Sequence, residues 1–186
     1  AALAGHDTSS AIAEFRDAIK ANRKLAESNA ILGSIAAARG KVDDAIGFFR
    51  ASLERDDENA QVLRALGEAL IVKKDVAGAL ASYRKAAKVA PKDPAVAVGL
   101  GRILLSADSI DGAIVQLTRA KELSPDDPTI YTSLGDAYLK QNVFVLAISN
   151  YQKATELAPK VIAYHAQLAK VFFKNRQYVE AVKEYD

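Results

Sequence analysis

Residues 131–159 read YTSLGDAYLKQNVFVLAISNYQKATELAP, and their spacing decides the fold. Tyr131, Leu134, Gly135 and Tyr138 fall at i, i+3, i+4 and i+7, one face of a helix. Ala147, Tyr151 and Ala154 repeat that spacing on a second helix. Between them, Val143, Phe144, Val145 and Leu146 form an apolar run that in isolation resembles a buried strand. The flanks are helical, however, so the run falls at a helix–helix turn and the start of the second helix. Pro159 ends that helix, because proline lacks the amide hydrogen the next turn needs.

The same markers recur along the chain. Ala11, Ala45, Ala79, Ala113, Ala147 and Ala181 stand 34 residues apart without a slip. Phe15, Phe49, Tyr83, Leu117, Tyr151 and Tyr185 follow at the same period, as do Ala18, Ser52, Ala86, Ala120 and Ala154. Upstream lie Leu32-Gly33, Leu66-Gly67, Leu100-Gly101, Leu134-Gly135 and Leu168-Ala169, and Pro91, Pro125 and Pro159 close three units. The small residues let two backbones approach, and the large rings fill space between them. Neither helix of a unit can bury its stripe alone, so successive pairs must stack. The expected fold is all-α, a right-handed α-solenoid of antiparallel helix pairs.

Tyr131-x2-Leu134-Gly135-x2-Tyr138, followed by Ala147, Tyr151, Ala154 and Pro159, resembles the tetratricopeptide repeat (TPR). The resemblance covers the whole chain as one solenoid, residues 1–186. It divides into a partial repeat at 1–25, complete repeats at 26–59, 60–93, 94–127 and 128–161, and a truncated one at 162–186. Twelve helical segments are expected, the first and last incomplete. Arg23 and Asp57 replace the closing proline, and only Gly40 keeps the glycine of the inter-helix turn. Lys74, Asp108, Asn142 and Arg176 stand there in the other units; Asn and Asp tolerate a positive φ, and Lys and Arg adopt it at some cost. The chain lacks an initial Met and ends inside a periodic segment, so it reads as part of something longer, with apolar surface at its ends.

Composition narrows the function classes. The chain of 186 residues carries 25 basic and 23 acidic side chains with no basic arm, which argues against nucleic acid as a partner. No apolar run approaches the ~18 residues of a membrane span, so no direct membrane insertion is expected. Without cysteine there is neither a disulfide nor a thiolate metal site. The only histidines are His6 and His165, far apart; His165 takes the place of Tyr131 and reads as a core-edge residue. Gly99-Leu100-Gly101 lacks the GK[ST] of a phosphate loop, and Asp56-Asp57 and Asp126-Asp127 read as helix-start charges. No catalytic residue, metal or cofactor is expected. Nothing here selects a compartment.

The resemblance implies protein–protein interaction through a concave groove lined by the first helices. It assigns to that groove Arg64, Glu68 and Ile71, then Val98, Arg102 and Leu105, then Asp136, Leu139 and Lys140, then Lys170, Phe173 and Lys174. The last three units set four bases and several apolar residues against one acid, which suits an acidic peptide with apolar anchors. The carboxylate-clamp residues of chaperone-tail TPRs and the asparagine ladder of glycosyltransferase-linked ones do not occur here. Phe144 aligns with core residues Val42, Val76, Ile110 and Tyr178, whereas Val143, Val145 and Leu146 align mostly with polar ones. Those three therefore mark an exposed edge suited to contact. The expected function is an adaptor or scaffold binding a peptide or helix of a partner. The alternatives are a substrate-recruiting or regulatory arm of a larger enzyme and a self-associating module.

Overall fold

Glycine 135 meets a tyrosine ring, and that meeting explains the 34-residue pattern. The computed structural model describes residues 8–184, with the side chains of Asp17 and of residues 20–184. Among these residues there are ten α-helices and no strand. They are α1 Thr8–Ala38, α2 Val42–Leu53, α3 Ala60–Val72, α4 Val76–Val89 and α5 Pro94–Ser106. Then follow α6 Ile110–Leu123, α7 Pro128–Lys140, α8 Phe144–Leu157, α9 Ile162–Lys174 and α10 Tyr178–Lys183. Cα packing groups the chain into two compact units, Ala1–Val89 and Ala90–Asp186. Each of α1, α3, α5 and α7 packs most extensively on the even-numbered helix that follows it, whereas α9 packs slightly more on α8 than on α10.

The closest approach in four of these pairs is a glycine under a large side chain. A Cβ at Gly33 would lie 2.6 Å from the Phe49 ring, and at Gly67 2.7 Å from Tyr83. At Gly101 it would meet Leu117 at 2.6 Å, and at Gly135 Tyr151 at 2.8 Å. Only a hydrogen fits. Ala45, Ala79, Ala113, Ala147 and Ala181, one on each even-numbered helix, are all buried. In the second unit, Leu117 and Ala120 of α6 pack with Ile130, Leu134 and Ala137 of α7. Ala147 and Tyr151 of α8 pack with Leu168, Val171 and Phe172 of α9.

All five turns within the pairs have the same geometry. Gly40, Lys74, Asp108, Asn142 and Arg176 have φ of 72°, 65°, 61°, 62° and 62°, the left-handed region. In each, the amide of that residue donates to the carbonyl three back and the next amide to the carbonyl five back, as in Lys74→Ile71 and Asp75→Leu70. This is the Schellman ending of a helix. Four non-glycine residues accept the strain because the two bonds satisfy carbonyls that would otherwise be orphaned.

Helix starts are equally local. The side chains of Asn59, Asp93 and Asp127 accept hydrogen bonds from the amides of Val62, Ala95 and Thr129. Pro94 and Pro128 open α5 and α7, where a missing amide hydrogen costs nothing. One expectation fails here. Residues 8–38 form a single helix of 31 residues, where the register implied a break near Leu25. Arg23 stands where other units have proline or aspartate, Ala21 to Glu27 contains no glycine or proline, and its one residue of capping type, Asn22, accepts a hydrogen bond from Arg55. The segment expected before residue 8 lies outside the described residues, and two of the twelve expected helices are joined in α1.

Candidate functional site

The first helices α5, α7 and α9 of the second unit carry most of the candidate binding residues. Arg102, Lys170 and Lys174 are exposed and make no side-chain hydrogen bond or ion pair. Phe173 is 65% exposed and meets Tyr178 edge-on, with ring centroids 5.4 Å apart. Beside them a cleft of about 460 Å³ is lined by Ala166, Ala169, Lys170, Phe173, Tyr178 and Val182. Val98 and Leu105 are partly buried against the α5–α7 core, and Leu139 against that of α8–α9. Phe173 is thus the most exposed of the apolar candidates on these helices.

Two charged candidates are already engaged. Lys140 Nζ donates to Asp108 Oδ1 at 2.7 Å and to the Leu105 carbonyl at 2.8 Å. It therefore ties the end of α7 to the turn after α5, and its hydrogen bond holds the Asp108 carboxyl below the usual carboxylate range. Four free bases become three. Asp136 accepts a 2.5 Å hydrogen bond from the Tyr151 hydroxyl, whose ring lies on Gly135. Burial first, and then this bond to a carboxylate, pushes the Tyr151 hydroxyl far above its ordinary pKa. Asp136 is thus held by a neutral donor.

The first unit differs. Arg64 donates to Glu68 at 3.1 Å along α3, one turn apart, and Ile71 is exposed at the end of that helix. Between α1 and α3 a cleft of about 410 Å³ is lined by Ala30, Ile31, Ser34, Ile35, Gln61 and Ala65, with no charged side chain among its lining residues.

The edge residues Val143, Val145 and Leu146 are exposed, Val145 by 75%. Val145 takes the place of Asp43 and Asp111, which receive Lys73 and the Gln141 side chain respectively. A polar cross-link between neighbouring pairs is replaced here by a bare methyl surface. Sequence reasoning missed those links, because each joins residues 30 positions apart and depends on side-chain reach.

His165 occupies the same place as Tyr131 and does a similar job. Tyr131 Oη donates to the Pro125 carbonyl at 2.7 Å, and His165 Nε2 lies 3.0 Å from the Pro159 carbonyl. His165 Nδ1 lies 2.8 Å from Glu184 Oε2. Both partners are acceptors, so both bonds form only with the imidazolium, and the Glu184 contact, chiefly, raises the pKa. His6 lies outside the described residues. Among the described residues, no cluster of three His, Cys, Asp or Glu could hold a metal ion, and no helix is long and apolar enough to cross a membrane.

Helix pairs of 34-residue period, with a glycine under each ring, define a helical-repeat protein. The chain belongs to the tetratricopeptide repeat family: family models match residues 1–60, 49–94, 101–142 and 128–161. No curated protein sequence matches it. Among solved structures, MamA from Desulfovibrio magneticus RS-1 is 22% identical, with a TM-score of 0.77 over 87% of this chain and 91% of that one. Pseudomonas aeruginosa PilF is 23% identical, with a TM-score of 0.80 over 89% and 76%. YrrB, described as a TPR protein with an unusual peptide-binding site, is 20% identical, with a TM-score of 0.69 over 91% and 88%. At these identities the likeness concerns the fold. The TPR fold supports a protein–protein interaction scaffold, and such repeats are generally without a catalytic centre.

Proposed function

We propose that the second unit binds an acidic peptide with a bulky apolar side chain across α5, α7 and α9. The observation that carries this reading is the set of exposed, unpartnered cations, Arg102 on α5 and Lys170 and Lys174 on α9, together with the exposed Phe173 of α9. Lysine and arginine left without partners attract carboxylates at long range, and an apolar anchor beside them fixes register. The description of YrrB as a peptide binder agrees with this use of the fold. Lys140 contributes little, because its charge is already matched by Asp108.

The test is a selection of peptides from a random library on the immobilised 186-residue chain. The reading expects enrichment of Asp and Glu flanking a Leu, Ile or Phe. Anisotropy with a selected peptide should then show weakening of about tenfold or more in the Lys170→Glu, Lys174→Glu double variant. Binding should also fall with salt, since exposed pairs are screened within ~8–10 Å. Equal losses from reversing Lys88 and Lys121, on the second helices, would refute the groove assignment.

A further inference from the structure

The apolar face of α1 has lost its cover. In the other repeats, the residues equivalent to Leu32 are Leu66, Leu100, Leu134 and Leu168, and all are buried. Those equivalent to Ile35 are Ala69, Ile103, Ala137 and Val171, again all buried. Yet Leu32 and Ile35 are each 44% exposed. What covers these places in the second unit is the preceding second helix: Ala147 and Tyr151 pack with Leu168 and Val171, and Leu117 and Ala120 with Leu134 and Ala137.

Counting back by the repeat, the residues due over Leu32 and Ile35 are Ala11, Phe15 and Ala18. They are in the chain, but on the same straight helix. At 1.5 Å per residue, positions 15 and 35 are roughly 30 Å apart along that axis, so α1 cannot cover itself. Its continuity is well supported. Arg23 pairs with Glu27 one turn on at 3.2 Å, Ser52 Oγ donates to the Ala26 carbonyl at 2.8 Å, and Arg55 donates to Asn22 at 3.2 Å. The last two bonds fasten this stretch to Ser52 of α2 and to Arg55 just past its end.

We propose that residues 8–22 cover Leu32 and Ile35 of a second copy of this chain, and that two chains exchange these arms reciprocally. The segment already has the sequence of a second helix, and its own binding face is duplicated on the partner copy. Reciprocal exchange closes with twofold symmetry and leaves neither face bare. Antiparallel pairing that sets Phe15 over Ile35 has its midpoint at residue 25. That brings Leu25, itself exposed, onto the axis beside its symmetry mate.

The chain has no cysteine, which makes the test direct. A Phe15→Cys, Ile35→Cys variant is oxidised and run without reductant, alongside light scattering of the unmodified chain over a range of concentrations. Exchange predicts a disulfide-linked dimer and a solution mass of about twice 19.9 kDa. Replacing Asn22 with Gly and Arg23 with Pro restores a turn, and should convert the dimer to a monomer whose disulfide forms within one chain. An intrachain disulfide in the parent hinge, a monomeric mass at every concentration, or growth beyond the dimer would each overturn the proposal.

Discussion

Two glycine-to-alanine substitutions should move stability in opposite directions. Gly47 lies inside α2, and a Cβ there would meet nothing within 4 Å. Gly47→Ala therefore gains helix propensity alone and should stabilise by ~0.8–1 kcal/mol. Gly135 in α7 offers the same gain, but its methyl would stand 2.8–2.9 Å from Cε1, Cδ1 and Cζ of Tyr151. That ring cannot retreat cheaply: Tyr151 is 1% exposed and its hydroxyl is bonded to Asp136. Overpacking costs ~1–3 kcal/mol. Displacing the ring also loosens a hydrogen bond to a charged group, worth ~1.5–3 kcal/mol when lost outright. The net effect of Gly135→Ala should be a loss of about 1–3 kcal/mol. Thermal and urea unfolding of the two variants beside the parent measure the difference, at roughly 2–4 °C per kcal/mol for a chain of this size. If Gly135→Ala stabilises as much as Gly47→Ala, the glycine–ring contact does not hold the pair together, and the explanation of the 34-residue pattern fails.

Ala113→Leu, at a fully buried contact beside Gly101, should destabilise by ~1–3 kcal/mol in the same unfolding assay. Lys140→Glu should weaken binding of a selected peptide less than Lys170→Glu does, because Lys140 is paired and Lys170 is not; titration by anisotropy decides the order. Val145→Asp restores the side chain found at Asp43 and Asp111, and should leave unfolding within ~0.5 kcal/mol of the parent. The bonded imidazolium of His165 has a folded pKa above the unfolded ~6.5, so its stabilisation is complete below that pH. It is lost as pH rises through the folded value. Replacing His165 with Tyr keeps the Pro159 carbonyl bond, as Tyr131 does at Pro125, and should flatten that part of the pH–stability curve.

The parts of this structure that were legible in the sequence are those carried by side-chain volume at a fixed spacing. A glycine and a ring sixteen residues apart must meet if the helices pair, so helices α2 to α10 could be placed from their markers. The left-handed turns were legible in part, because Gly40, Asp108 and Asn142 are types that tolerate a positive φ whereas Lys74 and Arg176 are not. At α1 two signals disagreed. The register of Ala11, Phe15 and Ala18 called for a helix end near Leu25, while the residues there favour continuation. Other boundaries are enforced by Asn59, Asp93-Pro94 and Asp127-Pro128; without such residues a backbone already helical has no reason to stop. The binding face shows a second limit. Position in the repeat names the candidates for the proposed groove, but a lysine's availability depends on what its four-carbon stem can reach. Lys140 is taken by an aspartate 32 residues earlier, held in place by a strained turn, whereas Lys174, its counterpart in the next unit, has no partner. Repeat position governs where a side chain stands, and contacts between units govern whether its charge is free to bind.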